Sequence, residues 1–161
     1  MRGVSALLFA LSLLGVAHAD SLQPEIDYWR VPWENSRPRD PDVDRNGIVW
    51  FVGQTGDYVA SFDPKNEQFR KIDLDKGVGP HNLIVGEDDH LWYSGNRVGH
   101  IGRINPANGS IEKIPLPRDV RDPHTLIGDG NGHIWFTAQA SNYIGRFTLA
   151  GRKTDVVRAS V

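Results

Sequence analysis

Two histidines stand out for the chemistry they could do together. His81 and His124 each follow a proline, in Gly79-Pro80-His81-Asn82 and in Asp122-Pro123-His124-Thr125. Two imidazoles held close can bind a metal, share a proton or hold a polar ligand. The alternative is that Pro-His is a structural corner, with each ring bonded to a neighbouring backbone carbonyl. Asp122 lies two residues before His124, and the matching positions elsewhere carry Gly79 and Arg37. A carboxylate in one copy only can ligate a hard cation or orient the histidine. It can equally cap the Pro-His turn.

These residues are placed by a repeat. Trp50, Trp92 and Trp135 fall 42 and 43 residues apart, each twelve residues after a proline (Pro38, Pro80, Pro123). A fixed period of that size marks a repeat architecture. No stretch carries an i, i+3, i+4, i+7 apolar stripe, so stacked helix pairs are excluded. Instead each unit divides into four short strands punctuated by turns such as Asn46-Gly47, Asp63-Pro64 and Asn105-Pro106-Ala107-Asn108-Gly109. The expected fold class is all-β, a partial β-propeller of about three four-stranded blades spanning 37–74, 79–116 and 122–158. The first strand of each blade lines a central channel, which brings His81 and His124 to one mouth of it. Residues 26–31 alternate in character and end at Pro32, and are expected as a stray strand that closes another blade.

The first nineteen residues read as a signal peptide: Arg2, an apolar run from Val4 to Val16, then Ala17-His18-Ala19 before Asp20. The apolar core is shorter than the ~20 residues that span a bilayer. The mature chain, 20–161, is therefore expected to be secreted or periplasmic, with no membrane association after cleavage. It has no cysteine, so its stability must come from a packed core. With Arg2 removed, 17 basic and 20 acidic side chains leave a net charge of about −3, and no basic cluster appears. Nucleic acid is excluded as a partner on that ground. Three blades are fewer than the four to eight of a closed ring. A fragment, a truncated gene, or a homo-oligomer closing the ring from two or more copies would each explain the shortfall.

Other recurring residues have plainer readings. Trp50, Trp92 and Trp135 are expected as blade-core aromatics. Asp44, Glu87 and Asp129 recur at one hairpin position. Asp129-Gly130-Asn131-Gly132 lacks the acidic residue that would complete a calcium loop, so a turn is expected. Arg103 and Arg146 are expected to be solvated or paired between blades. His90, His100 and His133 are expected at the surface. There is no nucleophile elbow, no H-E-x-x-H helix and no phosphate loop.

The repeat Pro-His-x-Leu-Ile, Ile-Trp-Phe and Tyr-Ile-Gly-Arg, best seen in Pro123-His124, Ile134-Trp135-Phe136-Thr137 and Tyr143-Ile144-Gly145-Arg146, resembles the streptogramin B lyase family, also called virginiamycin B lyases. The resemblance runs from about Asp27 to Arg158. It implies a seven-bladed propeller with Mg²⁺ at one channel mouth and a carbon–oxygen lyase that opens a cyclic depsipeptide antibiotic by elimination. In that scheme a histidine takes the α-proton beside the ester and the metal stabilises the developing enolate. Matched residue by residue, the resemblance makes His81 the substrate-contacting histidine and His124 the general base. Asp122 stands where the family has a metal-binding Glu. Gln139, four residues after Trp135, stands where a second one is expected. The expected partner is a small-molecule or peptide-like substrate.

Two rival functions stand beside elimination. A non-catalytic periplasmic propeller would use the same mouth to bind a sugar, peptide or protein. A lactone-hydrolysing propeller with Ca²⁺ would need several inward carboxylates, which the chain does not offer.

Overall fold

Alternating side chains and frequent turn residues give this chain twelve short strands. The computed structural model describes residues 24–160, so the leader read at 1–19 lies outside it. The first sheet holds β1 (Pro38–Val43), β2 (Val49–Gly53), β3 (Tyr58–Asp63) and β4 (Gln68–Asp73). The second holds β5 (Pro80–Val85), β6 (Leu91–Gly95), β7 (His100–Ile104) and β8 (Ile111–Pro115). The third holds β9 (Pro123–Gly128), β10 (His133–Ala138), β11 (Tyr143–Thr148) and β12 (Lys153–Arg158). Each sheet is an antiparallel meander with its strands in chain order. This is the all-β, partial propeller expected from the repeat. No helix among the described residues is long and apolar enough to cross a membrane.

Two close approaches explain small residues in the repeat. A Cβ at Gly102 would sit 1.9 Å from the Tyr93 ring, and one at Gly145 would sit 2.0 Å from Phe136. The glycine of Ile-Gly-Arg is thus a seat for the aromatic on the preceding strand. Its cross-strand partners confirm the seating: Tyr93 opposes Gly102 and Phe136 opposes Gly145.

Sheets stack through two complementary faces. Trp50, Val59 and Ile72 of the first sheet pack on Leu83, Leu91, Tyr93 and Ile104 of the second. The equivalent Trp92, Ile101 and Ile114 pack on Leu126, Ile134, Phe136 and Phe147 of the third. Trp50 and Trp92 are buried core aromatics, as expected. Trp135 is not: it is 36% exposed, and Ile144 and Val157 beside it are exposed too, because no further sheet covers their face.

Each indole is also clamped by a carboxylate in its own hairpin. Trp50 Nε1 donates to Asp44 at 3.0 Å and Trp135 Nε1 to Asp129 at 3.0 Å. In the second sheet the acceptor is Asp88, at 3.1 Å, and not Glu87, the residue grouped with Asp44 and Asp129 in the sequence pattern. Gly86 occupies the position equivalent to Asp44 and Asp129, and a Cβ there would collide with Asp88 and the Trp92 indole. Asp129 also accepts from the backbone amides of Asn131 and His133, the pattern of a hairpin turn. The Trp135 indole is the main cause that holds its carboxyl down to about 2.

Three expectations are corrected here. Residues 26–31 form no strand; among the described residues there is no unfinished sheet for them to join. They run instead toward the outer face of the first sheet, where Trp29 stacks 5.0 Å from Phe62 and Trp33 5.0 Å from Tyr58. His100 is buried, not superficial, and its Nε2 lies 3.1 Å from the Tyr93 hydroxyl. Arg103 and Arg146 pair within their own blades, with Asp88 at 2.7 Å and Asp155 at 3.1 Å, each guanidinium over its blade's tryptophan.

The unequal burial of equivalent tryptophans has a measurable outcome. Trp92→Ala should cost about 3–5 kcal/mol, the range for a buried aromatic truncation. Trp135→Ala should cost about 1–2 kcal/mol, since much of its ring is already in water. Urea unfolding of the two variants checks this, and equal costs would mean that Trp135 is covered in solution.

Candidate functional site

The first strand of each blade carries a bulge at the site. In the second sheet Pro80 opposes Gly95 and Leu83 opposes Tyr93, leaving His81 and Asn82 across from Ser94 alone. In the third, Pro123 opposes Ala138 and Leu126 opposes Phe136, so His124 and Thr125 share Thr137. A bulge re-aims the side chains that it contains. The hydroxyl opposite each bulge repairs the ladder. Ser94 Oγ accepts from the Asn82 amide at 3.0 Å, and Thr137 Oγ1 accepts from the Thr125 amide at 3.3 Å. The first sheet has Val52 at this position, without a hydroxyl. There the irregularity falls between Arg39 and Asp42, where Pro41 has no amide hydrogen to satisfy.

The bulges bring the two histidines face to face. Their ring centroids are 3.6 Å apart with planes tilted by 39°. Two cross-blade bonds fix this approach: Ser94 Oγ donates to the His124 carbonyl at 2.8 Å, and the Leu126 amide donates to Asn82 Oδ1 at 2.7 Å. Neither imidazole bonds a backbone carbonyl among the described residues, so the structural-corner reading is not what the fold shows. His124 is half-buried, and its Nδ1 lies 3.2 Å from Thr125 Oγ1. His81 is buried, and its Nδ1 makes no hydrogen bond. Asp40 Oδ2 lies 3.6 Å from that nitrogen, beyond hydrogen-bond reach.

Burial is the main cause that pushes His81 down to about 4, with the neighbouring His124 and Arg39 acting in the same direction. Asp40 and Asp122 oppose the shift without reversing it. His81 is therefore a neutral imidazole at neutral pH.

Arg39 was not singled out from the sequence, although it occupies the same repeat position as the histidines, one residue after Pro38. Its Nη1 donates to Gln54 Oε1 at 3.1 Å. Gln54 and Asn96 are the repeat equivalents of Gln139, an amide four residues after each tryptophan. The repeat alignment that matched the histidines would have exposed both.

Asp122 and Gln139 are neighbours, the Gln139 backbone amide donating to the Asp122 backbone carbonyl at 3.1 Å. Asp122 Oδ1 accepts from Asn96 Nδ2, and Oδ2 accepts from the Ala140 amide at 3.2 Å. This carboxylate ties the second blade to the short 3₁₀ turn Gln139–Ser141 of the third. Gln139 lines an open cleft of about 360 Å³ with His124, Thr137 and Tyr143. No group of three or more His, Asp or Glu side chains among the described residues is arranged to hold a metal. Mg²⁺ demands octahedral oxygen donors, usually led by free carboxylates. One carboxylate with both oxygens engaged, plus a neutral amide, does not fit it.

The neutral state of His81 predicts a pH dependence. An unfolded histidine takes a proton near 6.5 and the folded His81 only near 4. Its contribution is fully present above about pH 6.5 and is lost as pH falls toward 4. His100, lowered by its own burial, acts with the same sign. The urea midpoint should therefore fall between pH 7 and pH 4.5, and His81→Gln should flatten part of that decline. An unchanged slope would remove His81 as a cause.

Similarity to known proteins bears on the fold and the family. The structure resembles the selenomethionine-substituted virginiamycin B lyase from Staphylococcus aureus, with a TM-score of 0.76, 25% identity, and coverage of 83% of this chain and 45% of that one. A streptogramin B lyase structure matches with a TM-score of 0.76 and 28% identity, over 83% of this chain and 44% of the other. A nidogen in complex with laminin shares the fold alone, with a TM-score of 0.62, 17% identity, and coverage of 76% and 47%. The chain thus spans less than half the length of the lyases that it resembles. Comparison with curated protein sequences gives no match. The profile of the virginiamycin B lyase family matches residues 21–157, and the chain belongs to that family.

Proposed function

We propose that the His81–His124 pair performs proton abstraction for carbon–oxygen elimination on an ester-containing cyclic substrate. The observation that carries this reading is the stacked pair itself, one ring neutral with a free buried nitrogen and the other half-open to solvent. His124 is the base that removes a proton from the carbon α to a substrate carbonyl. The electron pair left behind forms a carbon–carbon double bond as the adjacent C–O bond breaks, and the ester oxygen departs as carboxylate. His81, kept neutral by burial, packs its ring against His124 and holds that base in position. Asp122, held by Asn96 and the Ala140 amide, fixes the turn that delivers Pro123-His124.

One observation favours a second reading. The Asp122 carboxylate is already hydrogen-bonded within the fold, and Gln139 supplies no charge beside it. A propeller that binds a peptide-like ligand at the same mouth without turning it over needs nothing more.

The two readings separate in one assay of the full chain with a cyclic depsipeptide ester. Elimination opens the ring without adding water, so the product keeps the substrate's mass and gains a conjugated double bond. His124→Ala should lower the rate by about 10²- to 10⁴-fold, the usual contribution of a positioned acid or base, with circular dichroism unchanged. A wild-type protein that binds the ester but leaves it intact would support the binding reading.

A further inference from the structure

A second cleft opens on the same rim as the histidines. It is built by the connection from β8 to β9, the 3₁₀ turn between β10 and β11, and the end of β12. All of these loops lie at the end of the sheet where His124 begins β9. Its volume is about 730 Å³, and Arg118, Arg121 and Arg158 line it. It shares Asn142 and Tyr143 with the smaller cleft that holds His124 and Gln139. The two clefts are therefore neighbours, with Asn142 and Tyr143 between them.

This cleft carries an excess of positive charge, three arginines against the one carboxylate Asp119, which feels the charge of Arg158. Arg118, Arg121 and Arg158 form no ion pair within 4.0 Å among the described residues; Arg30, Arg37, Arg70 and Arg97 are likewise unpaired but do not gather three to a cleft. Asp119 is the one carboxylate on the lining, and it accepts a 2.6 Å bond from the Tyr143 hydroxyl. Three guanidinium groups thus face one occupied carboxylate. Free arginines presenting fork-shaped donors match the two oxygens of a carboxylate or the oxygens of a phosphate. The backbone beneath them is fixed, since the Arg121 amide donates to Ser141 Oγ at 2.9 Å and Ser141 Oγ returns a bond to the Arg121 carbonyl at 3.0 Å.

We propose that this cleft is an anion subsite, which takes a carboxylate or phosphate group of a ligand whose remainder reaches the His81–His124 pair. The class of ligand is then an anionic molecule long enough to cross from the arginine cleft to the histidines, past Tyr143 and Asn142. A neutral ligand would leave the three arginines without partners. The inference concerns binding and stands whether or not the histidines carry out elimination.

The test is calorimetric titration of the full chain with sodium phosphate and, separately, sodium acetate at one fixed ionic strength. Binding should be detectable in the millimolar range. Arg118→Ala combined with Arg158→Ala should weaken it at least tenfold, with circular dichroism unchanged. Arg152→Ala, which removes a guanidinium already paired with Glu112, should leave it unaltered. Tighter binding of phosphate points to a phosphorylated ligand, and tighter binding of acetate to a carboxylate. Absence of binding, indifference to the double substitution, or equal weakening by Arg152→Ala would each overturn the subsite. Because no turnover is read, this result is independent of the elimination assay.

Discussion

Everything in this structure depends on one kind of contact, the burial of a tryptophan-bearing face against the aromatic face of the next sheet. A four-stranded meander has a hydrophobic face that must be covered by another layer. Removing an indole from water contributes about 4–6 kcal/mol, from 150–250 Å² at roughly 25 cal/mol per Å². Trp92 achieves this fully against the third sheet and Trp50 nearly so against the second. The indole N–H goes with the ring, and the hairpin carboxylates Asp44, Asp88 and Asp129 satisfy it at the edge of each interface. Packing and hydrogen bonding are thus settled by the same residue in the first two blades, and hydrogen bonding alone in the third.

That constraint also sets the chemistry. Because sheets must stack face to face, their first strands run side by side, and a residue at one repeat position meets its counterpart in the next blade. The bulges at His81-Asn82 and His124-Thr125 turn this adjacency into contact. Ser94 serves both needs, completing the ladder for Asn82 and reaching across to the His124 carbonyl. Burial between blades then removes the charge from His81 while His124 keeps its access to solvent. The difference between two chemically identical side chains comes from where the stack places them.

Much of this was legible before the structure, and the limits have physical causes. The period located the sheets, and equivalent positions named the His81–His124 pair. Misreadings arose where one blade departs from the rule that the others follow. Gly86 takes the place of an aspartate, so the clamp moved to Asp88 instead of the neighbouring Glu87. His100 stands where the other blades have Tyr58 and Tyr143, and it is buried like an aromatic although its type suggests a surface. Trp135 keeps the core residue type without a core, because burial depends on a neighbour and not on the residue. The metal pair was carried by resemblance, and hydrogen bonds from Asn96 and Ala140 had already engaged the carboxylate.

The two outer faces of the stack are not alike. Trp29 and Trp33 lie over the first sheet, while Trp135, Ile144 and Val157 stand open on the third. The stack therefore has a direction, like a filament with one sealed end and one receptive end. Any further unit bearing the Leu, aromatic and Phe face of the repeat can add at the receptive end with no new residue required. At the sealed end the same addition must first displace two indoles. Growth by duplication of such a gene is physically easy in one direction and obstructed in the other.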